Sequence, residues 1–244
     1  LVVFLSTPIF IGVTALALPD HALLTGLLGA TLGFASFLDR WQTRGETRWR
    51  DLFAGAVALG LAGLAKYNAA LLGLALALTL LAVPVYRPLL ARWQVYAAAG
   101  LAALMQAPVL AWNIGNGFAS FGFILGGRHG GLHVAWGGVL AYLAGIVVVL
   151  LPPLLIGIVR LYRAGAARTR LARICALVST LIFFATSLVT GVLYHWNLVA
   201  YAVLLPFLAP VMGRWLLGAQ AALGAAILAG LMVNFQVVSL ARQD

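Results

Sequence analysis

Lys66 is the only lysine among fifteen basic residues, and it sits in "GLAGLAKYNAALL", inside an apolar run from Leu52 to Val83. An unpaired ammonium near mid-membrane costs up to about 3 kcal/mol. The residues leave two readings open. A lysine at a helix end can snorkel to the headgroup layer. A lysine is also a compact point charge suited to a phosphate, and keeping it in a chain that otherwise uses arginine points to an anionic ligand. Asp20, which follows Pro19 at the start of another apolar run, is the second candidate. Asp39, Glu46 and Asp51 lie among arginines, and Asp244 ends the chain. That leaves Asp20 as the carboxylate expected on the Lys66 side. It can cap helix 21–38 with one oxygen and present the other to a ligand.

Two further stretches carry polar groups on that side. Residues 112–133 read "WNIGNGFASFGFILGGRHGGLH" and include Asn113, Arg128, His129 and His133. The small and aromatic alternation of the first part suits an interfacial segment. Arg128 in the glycine-rich tail suits a phosphate or carboxylate. His129 and His133 stand at i, i+4, a metal-ligand spacing on a helix, but the neighbouring glycines argue for ordinary loop histidines. No cofactor is expected, with a divalent ion as the alternative. The turn "YHWN" at 194–197 reads as an aromatic belt, with His195 facing the same vestibule.

These groups need elements that can hold them in lipid. The chain has 244 residues, is 64% hydrophobic and 8% charged, and its mean hydropathy is +1.07. Soluble domains are only about half apolar and about a quarter charged. The expected fold is all-α, a polytopic transmembrane helical bundle forming a single domain over 1–244. About nine apolar spans can be placed, near 2–18, 21–38, 51–65, 67–83, 94–112, 134–159, 174–193, 198–213 and 216–234, with kinks at prolines 8, 152, 153, 206 and 210. The loops at 39–50, 84–93, 160–173 and 214–215 hold twelve of the fifteen basic residues, which puts them in the cytoplasm. The +10 net charge therefore reads as membrane topology and not as a nucleic-acid surface. The run 51–83 is flanked by arginines on both sides, so it should be a hairpin of two short helices with Lys66, Tyr67 and Asn68 at its tip. The single cysteine, Cys175, excludes a disulfide framework within the chain. The opening "LVVFLSTPIF" lacks a charged n-region, so it is not a signal peptide and reads as the interior of a larger protein.

The ordered set "PDHALL", "GLAGLAKYNAALL", "PVLAWNIGNGFASFGFILGGRHG" and "HWNLVAY" resembles the multi-spanning lipid-linked-sugar glycosyltransferases of the GT-C architecture. Within them the chain is similar to the branch that includes lipopolysaccharide galacturonosyltransferases. Lipid A aminoarabinose transferases and protein O-mannosyltransferases are more distant. The resemblance extends over most of residues 1–210. It implies an enzyme of the bacterial inner membrane that moves a sugar from a polyprenyl-phosphate donor to a glycolipid, lipopolysaccharide or protein acceptor on the outer face. It implies that Lys66 contacts the donor phosphate and that Asp20 stands at the rim of the catalytic cavity. It also implies that the main base lies in an outer loop preceding residue 1, so that these residues alone are inactive. The candidate set is Asp20 as the catalytic group, with Lys66, Tyr67, Asn113, Arg128, His129 and His195 binding substrate. A transporter or lipid flippase, with Lys66 and Asp20 as gating charges, is the competing reading. A non-catalytic assembly subunit is the third.

Overall fold

Prolines and glycines decide where the apolar runs break. The computed structural model of the protein describes residues 1–15, 19–120, 122 and 136–240. Among these there are helices and no strand, since a backbone in lipid must satisfy its own polar groups. In chain order the α-helices are α1 (Val2–Ser6), α2 (Pro8–Ala15), α3 (Asp20–Arg44), α4 (Trp49–Ala65), α5 (Ala70–Ala82), α6 (Trp93–Leu104), α7 (Ala107–Gly115), α8 (Trp136–Leu150), α9 (Pro152–Ala164), α10 (Arg170–Ser187) and α11 (Leu198–Leu240). Short 3₁₀ segments at Tyr67–Ala69, Pro84–Ala91, Ala167–Thr169 and Tyr194–Asn197 join some of them. The architecture is the expected all-α membrane bundle.

Nine separate spans are not confirmed. Among the described residues, three helical stretches are long and apolar enough to cross a membrane singly: Asp20–Arg44, Ala167–Ser187 and Tyr194–Asn234. Counting each of three bent pairs as one span raises this to six. The physical reason is breakage within the apolar runs. The expected span 134–159 bends by 95° between α8 and α9. There Leu151 adopts φ 68° and ψ 151°, ahead of a proline pair that disfavours helix in the preceding residue. The run 94–112 bends by 45° between α6 and α7. The first run is already split at Thr7–Pro8. Pro206 and Pro210 do not break α11; Gly213 does, at φ 68°. A glycine fits there because a side chain at that φ is strained.

α3 has 25 residues and reaches about 37 Å, enough to cross the hydrocarbon core. It lies against α4 at unusually short range. A Cβ on Gly26 would stand 2.7 Å from the Ala62 Cβ and 2.8 Å from the Ala58 carbonyl oxygen. Small residues let membrane helices approach in this way. The arginine-rich loops meet at one end of the bundle. Trp41 Nε1 donates to the Val85 carbonyl at 2.7 Å, Tyr86 Oη donates to Gln42 Oε1 at 2.6 Å, and Arg160 donates to the Met212 carbonyl at 3.2 Å. The core lies where α3, the α4–α5 pair, α10 and the first half of α11 converge, with Leu23, Leu27, Leu72 and Leu198 fully buried.

Candidate functional site

α4 stops at Lys66, whose backbone is extended at φ −161° and ψ 134° while its N–H still reaches the Ala62 carbonyl. The chain turns through Tyr67–Ala69, and α5 runs back along α4. The reversal is visible in side-chain register: a Cβ on Gly73 would stand 3.4 Å from Leu59 Cδ2, on the opposite leg. The run 51–83 is therefore the expected hairpin of two short helices, with Lys66 at its tip.

Asp20 opens α3. Lys66 Nζ donates to Asp20 Oδ1 at 2.8 Å, across 46 residues of sequence. The carboxylate side chain is 3% exposed and the lysine 23%. The structure corrects the capping role. Asp20 lies inside the first turn of α3, Pro19 holds the N-cap position, and no side-chain cap bond forms. A carboxylate in that turn still gains from the positive end of the helix. The pair is thus a partly buried charge couple, and removing one member of a buried ion pair typically costs about 3–5 kcal/mol.

Apolar grooves meet the hairpin tip from two sides. Between the legs, with α6 as the third wall, two cavities of 360 and 370 Å³ share Leu59, Gly73 and Ala102 as lining. Their joint lining runs from Tyr96 and Leu81 near the arginine-rich end to Tyr67 beside Lys66. Gln106 lines the tip end and donates to the Gly60 carbonyl at 2.8 Å. On the other side, a groove of 770 Å³ between α3 and α4 opens next to His21 and Ala65.

A third element locks the tip. Asn68 Nδ2 donates to the Trp196 carbonyl at 2.8 Å, tying the hairpin to the 194–197 turn. That turn is fixed in its turn by buried Asn197, which accepts from Ser179 Oγ at 2.6 Å and donates to Tyr142 Oη and Thr180 Oγ1, each at 3.0 Å. Sequence reasoning missed Asn68 and Asn197 as positioning groups. The available signal was an asparagine with no local use inside an otherwise apolar and aromatic stretch.

The remaining candidates fall as follows. Tyr67 is half-exposed and lines the inter-leg groove. His195 sits in the turn that Asn68 binds, edge-on to the Tyr194 ring at 5.4 Å. Asn113 is buried and bonds locally: its amide donates to the Val109 carbonyl at 2.9 Å and its oxygen accepts from the Ser120 N–H at 3.3 Å. It fastens the end of α7 and makes no bond to the Lys66 tip. Arg128, His129 and His133 lie outside the described residues. Among the described residues no group of three His, Cys, Asp or Glu side chains could hold a metal ion.

Residues 1–112 match the family model described as dolichyl-phosphate-mannose-protein mannosyltransferase. No curated protein and no solved structure matches the chain. The matched stretch contains Asp20, Lys66 and both legs of the hairpin. It is shorter than the resemblance drawn over most of residues 1–210. Over these 112 residues the chain is similar to membrane glycosyltransferases that use polyprenyl-phosphate-linked sugars, and its apolar helices make it a multi-pass membrane protein.

Proposed function

We propose that this protein transfers a sugar from a polyprenyl-phosphate donor to a glycolipid, lipopolysaccharide or protein acceptor on the outer face of a bacterial inner membrane. The observation that carries the reading is a lone lysine, paired with a buried carboxylate, at the mouth of an apolar groove within the matched stretch. The polyprenyl tail lies between the legs of the hairpin. α5 from Ala70 to Leu81 gives that groove a length of about 17 Å, enough for several isoprene units. The donor phosphate competes with Asp20 for Lys66. When the acceptor hydroxyl oxygen bonds to the anomeric carbon, the bond from that carbon to the phosphate oxygen breaks, and the electron pair leaves with the phosphate. Lys66 stabilises the charge that develops there in a water-poor site. The hydroxyl proton goes to a base, and among the described residues Asp20, once released from Lys66, is the carboxylate placed to assist the main base that the resemblance implies.

The test is binding and turnover with polyprenyl phosphate and its glycosylated form. Lys66→Met should remove polyprenyl-phosphate binding and sugar transfer while the helical content is kept. Undiminished binding by that variant would end the phosphate role of Lys66.

A further inference from the structure

The opposite end of α3 carries a second polar site that the transfer reaction does not use. Ser36, Asp39, Arg40, Thr43 and Arg44 line a cavity of 220 Å³, closed by Arg168 from the Ala167–Thr169 turn. The five α3 residues stand at i, i+3, i+4, i+7 and i+8, one face of the helix. Three guanidiniums and one carboxylate thus line the same cavity. Arg40 is shared with Asp51 at 3.5 Å, and Asp51 also serves Arg48 and Arg50 at 3.6 and 3.8 Å. Among the described residues, Arg44 and Arg168 have no carboxylate within ion-pair distance. Trp41, near the end of α3, and Trp49, at the start of α4, are partly buried against the core at this end, and tryptophan favours the membrane interface.

We propose that this cavity binds the phosphate of a phospholipid headgroup at the arginine-rich membrane face, with Arg44 and Arg168 as its principal donors. Guanidinium forks match phosphate oxygens bidentately, and Arg40 adds a third positive charge. Asp39 opposes a bare anion and accepts a hydrogen bond from a headgroup hydroxyl, so the site favours phosphatidylglycerol. The position of the cavity at the arginine-rich end of α3, a helix long and apolar enough to span a membrane, favours a lipid headgroup over a soluble phosphate.

Native mass spectrometry of the 244-residue protein, with phosphatidylglycerol, phosphatidylcholine or glycerol phosphate added in turn, tests this. Phosphatidylglycerol should be retained over phosphatidylcholine, and the double variant Arg44→Gln, Arg168→Gln should lower its affinity by about tenfold or more. Arg163→Gln, which removes an exposed arginine elsewhere at this end, should leave binding unchanged. Lys66→Met should also leave it unchanged, which separates this site from the donor site. Asp39→Asn should strengthen binding, an outcome that misfolding cannot imitate. Equal retention of the two lipids, an equal loss in Arg163→Gln, weaker binding in Asp39→Asn, or competition by glycerol phosphate at equal concentration would each overturn the proposal.

Discussion

At the scale of single residues, the Lys66–Asp20 pair makes opposite predictions for its two members. Lys66→Met removes the cation and leaves Asp20 buried at 3% exposure beside an apolar side chain. Donor binding should fall below detection. Asp20→Asn keeps the cation and removes its competitor. Polyprenyl phosphate should then bind more tightly, by about tenfold, while transfer drops sharply. Titration of both variants with polyprenyl phosphate decides this; weaker binding in Asp20→Asn would show that the carboxylate helps to hold the donor and does not compete for Lys66. Asn197→Leu should cost a few kcal/mol, about 2–3, because it leaves the Ser179, Thr180 and Tyr142 hydroxyls of a buried network without their shared partner. Thermal unfolding should show the loss, and donor affinity should fall with it, since Asn68 holds the same turn. Lys66 and Asp20 were legible in the sequence because each was alone of its charge in an apolar setting. Their direct pairing was not, and neither was the Asn68 bond to Trp196 across 128 positions. Nothing local in the chain marks which distant backbone group an asparagine will reach.

At the scale of elements, the pair exists because α3 and α4 lie close enough for one side chain to span them. Gly26 sets that distance, with Ala62 and Ala58 directly opposite. Gly26→Val should wedge the two helices apart, weaken the Lys66–Asp20 bond and destabilise the protein by about 1–3 kcal/mol, the usual range for overpacking. The tail groove makes a separate prediction. Gly73 lines both of its cavities. Gly73→Leu should fill their junction and exclude a long polyprenyl phosphate, while a phosphate with a single short isoprenoid still competes for Lys66. Comparing long and short lipids in one binding assay checks both arms; equal exclusion of the two would move the tail out of this groove. The hairpin was readable from arginines on both flanks of a run too long for one crossing and short for two. The kink expected at Pro152 and Pro153 does fall there, at Leu151, but its 95° angle was not readable, and neither was the bend between α6 and α7. A proline signals a kink, but its angle depends on which neighbours can take up the freed backbone groups. Pro206 and Pro210 illustrate this, since they stay within α11 and the break falls at Gly213.

At the scale of the whole molecule, charge sorts the bundle into two ends. α3 runs from Asp20, beside Lys66, to Arg44, beside Arg168, and the segments carrying Trp41, Tyr86, Arg160 and Arg168 gather at the second end. The arginine count predicted that these loops share a side before any contact between them was known. The count works because charged loops resist translocation whatever their tertiary contacts, whereas the bends within each run depend on packing. If this end faces the cytoplasm, Lys66 meets its substrates from outside. Cysteine labelling reads the orientation cleanly, because the natural Cys175 is fully buried. Tyr194→Cys and Arg168→Cys place a thiol at each end, and both native side chains are exposed. A membrane-impermeant maleimide added to intact cells should label position 194 and spare position 168. Permeabilisation should bring position 168 to the same extent of labelling. The reverse pattern would put the Lys66–Asp20 pair on the cytoplasmic side, where the donor would have to be used before its sugar crossed the membrane.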